Sequence, residues 1–359
     1  MTYKKILSYV IPLFAGFFAC VPFIDFRLVA PPQWWPMVLT LTGLAGMYIL
    51  FLNVTFVVKG VALLGLISCF FSKVPHLSFN AYFSVVACCY FYIGATHMES
   101  WGPTFKMLKA LLLLNGGLII AQFFTHDQML NFGLDKISTF GVVGQHMQEA
   151  SFLVVLSALL IQIHPAFFII PIIAAFFCNS TWALCCAAVG VWVYFPSKKW
   201  RIIATCLAVG VVIMGAVTHK FEANLAEANR LHAWKRSVEI LNEYPWTGWG
   251  PGTFKVIFPL KSEINSIPWK TLHNCWLQLA FEVGYPMFLM LCFIVIVVYV
   301  YIIYQQKKYD RKGLLAGVSM VACNMLVHFP TRMIQSVLLI MLLLAYCDLT
   351  LRRRKIKMT

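Results

Sequence analysis

The chain has 359 residues, 61% of them hydrophobic and only 11% charged, with a mean hydropathy of +0.80. A soluble protein of this length cannot hide so much apolar surface, so a bilayer is the solvent for most of it. The formal charge of +15 would suggest nucleic acid in a soluble chain. Here the basic residues punctuate the ends of apolar runs, which is the pattern of membrane topology, and no nucleic-acid partner is expected.

In chain order, apolar runs predict helices over 6–24, 37–54, 56–72, 79–97, 104–124, 147–163, 166–178, 181–196, 201–217, 273–304, 313–329 and 332–350. A spanning helix needs roughly 20 apolar residues. The expected fold class is therefore an all-α polytopic membrane protein with about twelve transmembrane helices, residues 1–359 forming a single membrane domain. The first run follows Lys4-Lys5 and leads into Pro22, Asp25 and Arg27 without a small-residue cleavage site, so it reads as a retained helix rather than a signal peptide. Twelve cysteines lie scattered in apolar runs, as at Cys88-Cys89 and Cys185-Cys186, where they serve as small hydrophobes. With no CxxC pair and no His/Cys cluster, neither a metal nor a cofactor is expected.

Twelve spans put both termini on one side. The segments on that side carry Lys4, Lys5, Lys59, Lys106, Lys109, Lys198, Lys199, Arg201, Lys307, Lys308, Arg311, Lys312 and a tail with Arg352, Arg353, Arg354, Lys355 and Lys357. The short segments opposite carry Arg27, Lys73, Lys136 and Arg332. Seventeen basic residues against four makes the first side cytoplasmic. The one long hydrophilic interval, 218–272 between the ninth and tenth helices, then faces outward and contains short helices of its own.

Most of the chemistry-bearing residues lie in that interval. Leu231, Trp234, Val238 and Leu241 recur at helical spacing, which predicts one apolar face of a helix ended by Pro245. Arg230, one turn from Trp234, sits beside that stripe, and its guanidinium offers a planar fork suited to phosphate oxygens; Arg236 reads as a solvated surface charge. Pro245-Trp246-Thr247-Gly248-Trp249-Gly250-Pro251-Gly252 follows a helix and lacks a P-loop lysine, so it reads as a turn in which glycines permit unusual dihedrals and close backbone approach. Trp246, Trp249 and Trp269 suit a membrane interface, or stacking on sugar faces. His273-Asn274 opens the next helix, and an imidazole there can accept a proton from a hydroxyl. Gln278 and Glu282 follow along that helix, where a carboxylate within the apolar run marks function or a buried pair.

A second polar group, Gln145-His146-Met147-Gln148-Glu149, opens the sixth helix and reads as cavity lining, since Glu149 would otherwise enter lipid. No Ser/His/Asp arrangement, HExxH motif or suitably spaced acid pair is present.

The loop resembles the shared domain of the O-antigen ligase and O-antigen polymerase superfamily. The resemblance rests on Arg230, Trp234, Pro245-Gly248-Gly250-Gly252, His273-Asn274, Leu277-Gln278 and Glu282-x-Gly284. A looser likeness covers Thr139 to Ala150, with Gln145 where relatives show Asn, and Asn179-Ser180-Thr181-Trp182-Ala183, which lacks the family's arginine. The resemblance implies a metal-independent glycosyltransferase at the periplasmic face of the bacterial inner membrane, surrounded by membrane lipids and using an undecaprenyl-pyrophosphate-linked glycan as donor. Ligases, polymerases and protein glycosyltransferases differ in the acceptor: lipid A-core, a lipid-linked repeat or a protein side chain. By analogy His273 is the base and Arg230 stabilises the departing pyrophosphate. Trp234, Gly248, Gly250, Gly252, Asn274, Gln278, Glu282, Gln145 and Glu149 are expected to contact substrate, with Arg332 or Lys136 replacing the missing arginine. A transporter or flippase of lipid-linked sugars is the alternative of a different class.

Overall fold

A computed structural model describes residues 2–19, 35–52, 54–125, 146–178, 180–195, 197–217, 225–262, 271–309, 312–328 and 330–352. Gln145, Lys136, Trp269, Asn179 and both margins of the long loop lie outside the described residues. With no water to satisfy N–H and C=O groups in hydrocarbon, an open chain can cross lipid only as helix. The described residues accordingly form α-helices, two 3-10 turns and no strand: α1 (Tyr3–Ala19), α2 (Trp35–Phe51), α3 (Phe56–Phe70), α4 (Pro75–Thr96), α5 (Gly102–Thr125), α6 (His146–Leu160), α7 (Ile169–Phe177), α8 (Thr181–Tyr194), α9 (Lys198–Val217), α10 (Leu225–Leu241), α11 (Phe254–Lys261), α12 (Cys275–Val283), α13 (Tyr285–Tyr309), α14 (Lys312–Asn324) and α15 (Ile334–Arg352). Three segments, Pro75–Thr96, Gly102–Gln122 and Tyr285–Tyr304, are long and apolar enough to cross a membrane. Shorter apolar helices accompany them, among them Phe56–Phe70, Gln148–Leu160 and Ser336–Thr350.

The chain divides into two compact units, one of residues 1–25, 91–221 and 301–359 and the other of 26–90 and 222–300. In the first, α6 is the hub, packed on α5, α7, α8, α14 and α15. Its close partner α14 carries Gly313 and Gly317 one turn apart. A Cβ on Gly317 would stand 2.6 Å from the Ala158 carbonyl oxygen, and one on Gly313 would stand 2.9 Å from Gln162 Oε1. Small residues let the two backbones approach, and polar side chains then bridge them. Gln162 donates to the carbonyls of Gly313 (2.8 Å) and Ala158 (2.9 Å), and Asn324 Nδ2 donates to the carbonyl (3.1 Å) and hydroxyl (2.9 Å) of Ser151.

The second unit departs from the sequence reading at the helix that follows the loop. The expected helix 273–304 is two helices, α12 and α13, broken at Gly284 (φ 79°), a left-handed conformation that glycine adopts without steric cost. Pro286 then starts α13, where its missing N–H is harmless. Within the hydrophilic loop, where short helices are expected, α11 occupies the middle. It supplies Phe254 and Phe258, both without exposed surface, to a core with Ala233, Ile240, Leu241, Trp249, Leu272 and Phe281. The loop therefore shares a hydrophobic core with the helix α12 that follows it.

Candidate active site

Of the apolar face expected on the helix that carries Arg230, Trp234 and Leu241 do pack inward, but Leu231 and Val238 do not. Ala233, Ser237, Ile240 and Leu241 are buried, whereas Leu231 is 66% and Val238 37% exposed. The small residues win because α10 lies against α12, and Ala233 and Ser237 permit the approach that Leu231 and Val238 would block; Ser237 returns its hydroxyl to the Ala233 carbonyl at 2.7 Å. Arg230 continues this face one turn earlier and is itself buried. Trp234 packs at its margin, its indole N–H donating to the Leu272 carbonyl at 2.9 Å. Arg236, read as solvated, is paired with Glu239 (2.9 Å) and donates to the Lys261 carbonyl (2.9 Å).

Behind α10 runs the glycine turn, and its hydrogen bonds explain the motif. The N–H groups of Trp249 and Gly250 donate to the carbonyls of Phe281 (3.1 Å) and Glu282 (2.8 Å), and Gly252 N–H donates to Glu282 Oε2 (2.8 Å). In return Tyr285 N–H donates to the Pro245 carbonyl (2.8 Å). The turn thus lies directly on the end of α12. Gly248 and Gly284 face one another: a Cβ on Gly248 would stand 2.5 Å from the Gly284 nitrogen, and one on Gly284 would stand 2.7 Å from the Gly248 nitrogen. The connection between α3 and α4 closes the other side, with Lys73 N–H (3.2 Å) and the Ser72 hydroxyl (3.3 Å) both donating to the Trp249 carbonyl. Trp249 is buried, its indole donating to the Ile240 carbonyl at 3.1 Å, so it serves the core and not a membrane interface; Trp246 is 77% exposed. Lys261 is paired with Glu243, and its Nζ lies 4.6 Å from the Trp249 ring centroid.

His273 sits where the loop rejoins α12. It is the one described non-glycine residue with a left-handed backbone, φ 53°, which costs an L-residue roughly 1–2 kcal/mol. Its neighbours are held firmly. Leu272 is fully buried, and Asn274 caps α12 by accepting the Leu277 N–H at 2.9 Å. Further along, Gln278 Oε1 accepts the Leu272 N–H (3.2 Å) and Gln278 Nε2 donates to Glu282 Oε1 (3.0 Å). Burial pushes the His273 imidazole down to about 4, and the nearby Arg230 charge adds to the effect. Two residues that are 43 positions apart (273 − 230) are thus electrostatic neighbours, and the imidazole is neutral at physiological pH.

The second unit therefore holds Arg230, Trp234, the three glycines, His273, Asn274, Gln278 and Glu282. The remaining expected residues lie elsewhere. Glu149, in the first unit, has no exposed surface and accepts a hydrogen bond from the Asn115 amide. Arg332 falls in the 3-10 turn Pro330–Arg332. Sequence reasoning missed Leu272, the peptide held next to His273, and Ser72 and Lys73, which meet the glycine turn. Ser72 is 177 residues from its partner, and no local signal marks it.

These features define a membrane protein, helical throughout its described elements, whose polar loop packs with α12 around one core and brings a cation and a neutral imidazole together. Residues 166–292, which include that loop, match the family model described as O-antigen ligase, which supports the resemblance to the O-antigen ligase/polymerase superfamily. The match supports an enzyme that handles lipid-linked glycans. No curated protein matched the sequence.

Proposed function

We propose that this protein is a bacterial inner-membrane glycosyltransferase that moves a glycan from an undecaprenyl-pyrophosphate carrier to an acceptor hydroxyl at the periplasmic face. The observation that carries the reading is the proximity of Arg230 to His273 at the two ends of one loop, within the stretch matched by the O-antigen ligase family. The acceptor oxygen attacks the anomeric carbon, the bond from that carbon to pyrophosphate breaks, and the hydroxyl proton passes to the imidazole of His273. The leaving group is anionic, and a preorganised guanidinium beside it stabilises the charge as it develops. A bound pyrophosphate also offsets the Arg230 charge, so His273 is a stronger base in the donor complex than in the free protein.

The topology that fits this chemistry has about twelve spans, cytoplasmic termini and a periplasmic loop, as the seventeen-to-four bias of basic residues favours. Arg332 is the proposed second cation. The acceptor is lipid A-core for a ligase, a lipid-linked repeat for a polymerase or a side chain for a protein glycosyltransferase. A lipopolysaccharide gel from a deletion strain separates the three: core only, core plus one repeat, or an intact ladder.

The decisive assay uses the purified full-length protein in detergent with a lipid-pyrophosphate-linked glycan and acceptor. Transfer by the wild type and its loss in His273→Ala and Arg230→Ala are expected. Wild-type rates in both variants overturn the assignment. Translocation of the donor in proteoliposomes without any transfer would instead favour a flippase.

A further inference from the structure

The left-handed backbone of His273 persists only because its surroundings hold it, and the hydrogen bonds around it run in one direction. Leu272 N–H donates to Gln278 Oε1 at 3.2 Å, Gln278 Nε2 donates to Glu282 Oε1 at 3.0 Å, and Gly252 N–H donates to Glu282 Oε2 at 2.8 Å. A carboxylate offers acceptors on both oxygens, whereas an amide offers one oxygen and one NH2. The acid at 282 therefore dictates which way the Gln278 amide points: NH2 toward Glu282, oxygen toward Leu272. Any other orientation sets a donor against the Leu272 N–H. Gln278 is 2% and Glu282 4% exposed, and the hydrogen bonds of both polar ends are made inside the protein.

We infer that Glu282 and Gln278 are positioning residues for His273: the acid orients the amide, the amide holds the Leu272 peptide, and that peptide fixes the backbone that carries the imidazole. The same carboxylate ties the glycine turn to this chain through Gly252, so the Glu-x-Gly and Gly-x-Gly-x-Gly motifs serve one clamp. The inference rests on the reading of His273 as the proton acceptor.

A reciprocal exchange tests it in the full-length protein. In Glu282→Gln one amide must serve two donors, so either the Gly252 N–H or the Gln278 NH2 loses its acceptor. In Gln278→Glu two acids face each other one helical turn apart. The double variant Gln278→Glu/Glu282→Gln restores every pairing. Leu272 N–H and the new amide at 282 both donate to the acid at 278, and Gly252 N–H donates to the carbonyl oxygen of that amide.

Each single variant should lower kcat about 10- to 100-fold, the range expected for a misplaced catalytic group, with KM for the lipid-pyrophosphate donor unchanged. The double variant should recover most of kcat. Hydrogen exchange at the Leu272 amide, which needs no substrate, should quicken in the single variants and slow again in the double one. A loss confined to KM means direct substrate contact and overturns the inference, as does wild-type kcat in Glu282→Gln or a folded double variant that recovers neither kcat nor protection. If exchange follows the expected pattern but His273→Ala transfers glycan normally, the reading of His273 fails while the clamp stands. Where a single variant does not fold, the double variant decides by the same two measurements.

Discussion

Replacing Gly284 by alanine tests the contact on which the loop's architecture depends. The residue has φ 79°, so a side chain costs about 1–2 kcal/mol in backbone strain before any contact is counted. The added Cβ would stand 2.7 Å from the Gly248 nitrogen and from the Trp246 carbonyl carbon and oxygen, all rigid backbone atoms. The two segments must part, and three hydrogen bonds join them there: Trp249 to Phe281 (3.1 Å), Gly250 to Glu282 (2.8 Å) and Tyr285 to Pro245 (2.8 Å). At about 1 kcal/mol net for each bond, the total loss is about 4–5 kcal/mol. Thermal unfolding in detergent reports the overall effect, and hydrogen exchange at the Trp249 and Gly250 amides reports whether these bonds opened. Gly116→Ala is the control: an added Cβ there meets nothing within 4 Å, and the site lies inside α5, so it should gain about 0.5–1 kcal/mol. A Gly284→Ala protein with wild-type melting and protected Trp249 and Gly250 amides would refute the reasoning.

Other outcomes follow from the same structure. His273 is held at about 4 against an ordinary value of 6.5, so below pH 6.5 the unfolded chain takes up a proton that the folded one does not. Stability should fall by about 3 kcal/mol between pH 6.5 and 4 and level off below, at ~1.4 kcal/mol per pH unit; His273→Gln should lack that component in acid denaturation. Arg230→Gln removes the lesser of the two depressing influences, and the imidazole should titrate at higher pH when followed by NMR of labelled histidine. Asn274→Ala deletes the α12 cap and should cost about 1 kcal/mol in thermal unfolding. Gly317→Leu forces a side chain against the Ala158 carbonyl and should cost about 1–3 kcal/mol or more, measured the same way.

Much of this protein was legible along the chain. Apolar runs locate helices because, in lipid, a segment must satisfy its own backbone and expose only apolar side chains, and both requirements are local. The order Arg230, glycines, His273 likewise survives as linear pattern. Tertiary structure decided what these residues touch. Hydrophobicity placed Leu231 and Val238 inside, yet the close approach of α10 to α12 favours Ala233 and Ser237, so those two larger residues face outward and Arg230 is buried. The run 273–304 reads as one helix because it is predominantly apolar throughout, but Gly284 must meet Gly248, and the helix breaks at that contact. Ser72 and Lys73 clamp Trp249 from 177 and 176 residues away (249 − 72 and 249 − 73), a distance over which side-chain periodicity carries no information. Sequence alone therefore marked most helical segments and the residues that could react. The fold decided that an imidazole, held in a strained backbone beside a buried cation, is neutral, because burial and charge proximity depend on segments that only folding brings together.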